Sequence, residues 1–96
     1  MNKRRFHFPT GIESVYPFKV WSNANHTLME NWMNDNIMGD CERRYAENSE
    51  KDLMIQMFGS YRIGCPLLYS FELEIDAVLF SFMCQNKEFA NHALRD

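Results

Sequence analysis

No stretch of this 96-residue chain stays apolar for long. The longest run, AVLFSFMC at 77–84, stops at eight residues, well short of the ~20 that a bilayer-spanning helix needs. The start, MNKRRFHFPTG, is basic but no apolar run follows it, so a secretory signal is not expected. Cysteine is scarce and scattered. Cys41, Cys65 and Cys84 leave at least one thiol unpaired, which argues against a disulfide framework and for a reducing cytoplasm. Zinc sites are built from close pairs such as CxxC or HxxxH. Here the three cysteines and His7, His26 and His92 each stand alone, so neither a metal nor a cofactor is expected. The four glycines, Gly11, Gly39, Gly59 and Gly64, are isolated from one another, and no phosphate-cradling loop can be built from them. With no repeat, low-complexity tract or Gly/Ser linker, residues 1–96 read as a single domain.

What the chain has in quantity is aromatic and apolar side chains. It is 46% hydrophobic and 15% aromatic, with eight Phe, four Tyr and two Trp, which excludes intrinsic disorder. A domain of this size buries somewhat more than ~60% of its unfolded surface. That is enough for a core but favours work done at the surface. The formal net charge of -3 is unevenly placed. Residues 1–21 carry Lys3, Arg4, Arg5 and Lys19 against Glu13, whereas residues 30–52 carry seven acids against Arg43, Arg44 and Lys51. The basic start is too short to track a phosphate backbone. Nine Asn and seven Met are a composition associated with low-GC sources such as bacteriophages and mobile elements.

Periodicity predicts the elements. RRFHF at 4–8 alternates with Phe6 and Phe8 on one side, and VYPFKVW at 15–21 puts Tyr16, Phe18 and Val20 on one face, with Pro17 demoting that strand to an edge or a bulge. From Asn25, Leu28, Met29, Trp32, Met33 and Ile37 recur at helical spacing, with Asn25 or Ser22 as cap and Gly39 as stop. A second, exposed helical stretch is expected over ERRYAENSEK, restarting at SEKDLMIQMF, where Ser49 and Asp52 are spaced like a capping box and Gly59 ends the run. LLYSFELEID alternates Tyr69, Phe71, Leu73 and Ile75 with Ser70, Glu72, Glu74 and Asp76, a strand with one wet, acidic face. AVLFSFMC is apolar on both faces and reads as a central strand. KEFANHALRD closes the chain as a short helix.

Asp76, followed after eight residues by Gln85-Asn86-Lys87, resembles the half-motif of the restriction-nuclease-like PD…(D/E)xK superfamily. The resemblance implies an acid on one strand and an acid-x-Lys on the next, holding a divalent cation while the lysine orients a water. It covers about fourteen residues, and Gln85 stands where the second acid belongs. A neutral oxygen there weakens Mg²⁺ binding, and the segment is read as a buried strand with charged ends.

The fold expected is α+β: a mostly antiparallel sheet drawn from both chain ends, with two to three helices packed on one face. No catalytic residue is assigned and the chain is not expected to be an enzyme. The expected function is that of a small protein-binding module, an inhibitor or accessory factor of a phage or mobile element acting on a host protein. Self-association is the variant reading, and a nucleic-acid binder or degenerate nuclease-like domain is the alternative. Arg43, Arg44 and Tyr45, placed on the exposed helical stretch, are the expected partner-binding residues, because Arg and Tyr are enriched where interfaces exclude water.

Overall fold

The computed structural model describes residues 15–59 and 66–89. The strand expected at 4–8 and the closing helix beyond Phe89 lie outside them. The element order is β1 (Phe18–Ser22), α1 (His26–Asn36), β2 (Cys41–Tyr45), a 3-10 turn (Asn48–Glu50), α2 (Lys51–Phe58), β3 (Leu67–Phe71), α3 (Glu74–Cys84) and a final 3-10 turn (Lys87–Phe89). The three strands form one antiparallel sheet in the order β1-β3-β2. The domain is therefore α+β as expected, but one of its strands comes from the middle of the chain.

α1 begins where the sequence marks it. The Asn25 side chain accepts the Leu28 N–H at 3.2 Å, satisfying one of the unpaired donors of the first turn. Met29 and Met33 are fully buried on its inner stripe. Trp32 lies at the edge of that stripe, packed against the core without being enclosed by it. α2 also occurs where expected, and ends at Gly59, whose φ of 78° is the left-handed conformation that favours glycine. Its lead-in differs from expectation: the reciprocal capping box joins Glu47 and Glu50, not Ser49 and Asp52.

Two elements are corrected. The stretch read as an exposed helix at 41–45 is strand β2, paired along its whole length with β3 from Cys41↔Phe71 to Tyr45↔Leu67. The apolar run read as a central strand is helix α3, and the strand before it stops at Phe71. A central strand covered on both faces does exist, but it is β3, whose five residues are all buried. Ser70, expected on a wet face, is inside. β1 occupies an edge, and Pro17 stands just before its first paired residue, outside the ladder.

Neighbours across an antiparallel ladder point to the same side, so the register sorts the sheet into two faces. One carries Leu67, Tyr69 and Phe71, which join Met29 and Met33 of α1 and Ala77 and Phe80 of α3 in the main core. The Phe80 ring lies between two strand rings, 4.6 Å from Tyr69 and 5.1 Å from Phe71, in the tilted geometry that aromatic pairs favour. The other face carries Leu68 and Ser70, flanked by Trp21 on β1 and Arg44 on β2. The Arg44 side chain crosses Leu68 to set its guanidinium 5.3 Å from the Trp21 ring centroid. It also bonds both Glu50 carboxylate oxygens, at 2.7 and 2.8 Å, which ties the start of α2 to this face.

Candidate functional site

Arg43, Arg44 and Tyr45 lie on an edge strand rather than a helix, and both arginines are engaged within the fold. Arg43 donates to Glu30 Oε2 on α1, the same oxygen that accepts the Tyr69 hydroxyl at 2.8 Å. Burial and the Glu30 charge push the Tyr69 phenol upward. Arg44 is held by Glu50 and Trp21, and its hydrogen bond holds the Glu50 carboxyl below the usual range. Their side chains are only 16% and 22% exposed. Tyr45 is the accessible member of the trio. A polar sequence forms a sheet strand here because its charges are matched by acids thirteen and six residues away, while the arginine stems cover apolar surface.

The metal-site half-motif is taken apart in a similar way. Asp76 sits in the first turn of α3 and Gln85 caps its far end, so about 13 Å of helix separates them. The Asp76 carboxylate is fully buried and accepts backbone N–H groups from Gly39 at 2.8 Å and Met38 at 3.0 Å. It anchors the loop between α1 and β2. Among the described residues, no three His, Cys, Asp or Glu side chains lie together in a way that could hold a metal ion. Cys41 is buried and Cys84 half-buried. Burial pushes both thiols up, Cys84 to about 11. Neither is poised as a nucleophile, since the thiolate is the reactive form. Cys65, His7, His92, Lys3, Arg4 and Arg5 lie outside the described residues.

What the structure does present is the outer face of α3. Asp76, Ala77 and Phe80 turn inward. Ile75, Val78, Leu79 and Phe82, at i, i+3, i+4 and i+7, form an opposite stripe that is 53%, 45%, 39% and 69% exposed. A helix apolar on all sides is normally enclosed on all sides. Among the described residues, this one is covered by the sheet and α1 along one face. The charged residue between Ile75 and Phe82, Asp76, lies on the inner face, so the stripe itself carries no charge. Beside its C-terminal half lies a half-open cleft of about 290 Å³ between α3 and β1, with Trp21 and Phe58 contributing aromatic wall and Ser81 and Gln85 polar groups. The sequence contains the residues of this stripe, but an apolar run covered on two sides as a strand and one covered on one side as a helix have the same composition.

Comparison of the chain with family models, with curated proteins and with solved structures gives no match. Among the described residues, no helix is long and apolar enough to cross a membrane.

Proposed function

We propose that this domain acts by binding another polypeptide, and that the outer face of α3 is the surface it uses. The observation that carries this reading is the uncharged stripe of Ile75, Val78, Leu79 and Phe82, left in water by a helix whose other side is fully packed. Contiguous exposed apolar surface of this kind marks interaction sites in soluble domains. Its chemistry fits an apolar helix face, which lays its own i, i+3, i+4 and i+7 side chains along such a stripe. Phe82 is the most exposed of the four and is the anchor a partner would enclose.

The Arg43-Arg44-Tyr45 segment is a weaker docking surface, because a partner would have to displace Glu30 and Glu50 before reaching the guanidinium groups. The proposed setting is a reducing cytoplasm, consistent with the two free thiols Cys41 and Cys84. Action on a host protein as a phage or mobile-element inhibitor remains one form this binding could take.

Affinity capture with three forms of the full chain tests the reading: wild type, Val78→Glu/Phe82→Glu, and Gln56→Glu on the exposed side of α2. Wild type and Gln56→Glu are expected to retain the same protein, and the α3 variant to lose it while keeping its thermal midpoint. Identical retention by all three would contradict the assignment of the site.

A further inference from the structure

The stripe is complementary to itself. We propose that α3 docks against α3 of a second copy of this chain, antiparallel about a twofold axis passing midway between Val78 and Leu79; this inference rests on the reading of the α3 face as a docking surface. With the axis there, Ile75 meets Phe82 of the second copy and Val78 meets its Leu79. All four exposed side chains are thereby covered by the same four, as an isologous contact requires.

The charges at the two ends select this direction. Glu74 opens α3 and is exposed; Lys87, also exposed, follows three residues after the helix ends. Antiparallel pairing sets Glu74 opposite Met83 of the second copy. Lys87 follows Met83 by four residues, in the 3-10 turn beyond the helix end and next to the exposed Glu88, and the pairing calls on its long stem to bring the ammonium group to Glu74. Each dimer holds this relationship twice. Parallel pairing would oppose Glu74 with Glu74 and align the helix dipoles unfavourably. A partner of unrelated sequence has no reason to share this reversed order of charge.

The eleven-residue helix offers a contact only about 16 Å long. Such a patch falls short of the about 1,200 Å² at which stable interfaces begin, so the pairing belongs to the weak, concentration-dependent class. The aromatic wall of the adjoining cleft, Trp21 and Phe58, extends the contact sideways at its C-terminal end.

Sedimentation equilibrium of the full chain between roughly 5 µM and roughly 500 µM tests this, the range in which weak association is read. The average mass is expected to rise from the 11.5 kDa of one chain toward twice that value. Phe82→Glu, with an unchanged circular dichroism spectrum, is expected to stay at one chain's mass throughout; Val78→Glu serves if Phe82→Glu does not fold. Glu74→Lys and Lys87→Glu are each expected to weaken association about twofold to fivefold, the range for exposed ion pairs, and their combination to restore it.

A constant wild-type mass would overturn the self-pairing. If the α3 variant nevertheless lost a captured protein, the α3 face would remain a docking site for a different chain. A constant mass together with a lowered thermal midpoint for Phe82→Glu would mean that another segment of the same chain covers the stripe. Association that Phe82→Glu abolishes, but that the single charge variants leave unchanged or their combination fails to restore, would overturn the antiparallel arrangement.

Discussion

The Asp76 carboxylate on α3 holds the backbone of Gly39, thirty-seven residues earlier, through an N–H···O bond of 2.8 Å, and a second bond from Met38 closes the same grip. Both groups at the Gly39 contact are buried. Asp76→Ala therefore strips a buried N–H of its acceptor, and should cost about 2–3 kcal/mol by the usual cost of such orphaned groups. Chemical denaturation of wild type and variant measures the difference. A loss below about 0.5 kcal/mol, the scatter of ordinary surface changes, would show that the loop is held by other means.

Gly39 is confined by sterics as well as by hydrogen bonding. A Cβ at this position would stand 2.8 Å from Leu73 Cγ and 2.9 Å from Glu72 Oε1. Gly39→Ala should cost about 1 kcal/mol or more, since Leu73 must give way just before α3 begins. An unchanged midpoint would mean that Leu73 and Glu72 shift freely.

Core positions on α1 should differ in cost. Met33 is fully enclosed, whereas Trp32 only packs against the core from its edge. Met33→Ala should lose about 2–5 kcal/mol, and Trp32→Ala less than Met33→Ala despite the larger side chain. The reverse ranking in thermal midpoints would place the tryptophan at the centre of the core.

Arg44 and Glu50 supply a pH-dependent link. The folded-state Glu50 carboxyl is held below its ordinary value of 4.5 by the Arg44 hydrogen bond. Its contribution is therefore complete above that pH and disappears as pH falls through the lower folded value. Glu50→Gln should be less stable than wild type by about 1 kcal/mol near neutrality. The two should converge in strong acid. A difference that persists there would assign the effect to packing.

The parts of the fold visible in sequence were those decided locally. Asn25 caps α1, and Gly59 stops α2 with a positive φ. The misread parts depend on distant partners. CERRY forms a strand because Glu30 and Glu50 neutralise its arginines, and nothing within the five residues announces those partners. AVLFSFMC satisfies both strand and helix templates because it is apolar on every side. Only the three-dimensional fold shows that one of those sides faces water. The proposed docking surface was thus present in the sequence as composition but not as geometry.

Site-specific photo-cross-linking in living cells tests the role of that surface most directly. A photoreactive phenylalanine analogue replaces Phe82 in one form of the full chain and the exposed Gln56 in another. Irradiation should join position 82 to a protein, whether a second copy or a different chain, and should leave position 56 without the same adduct. Absence of any protein adduct at position 82, or equal labelling at both positions, would contradict the claim that the outer face of α3 is where this domain meets its partner.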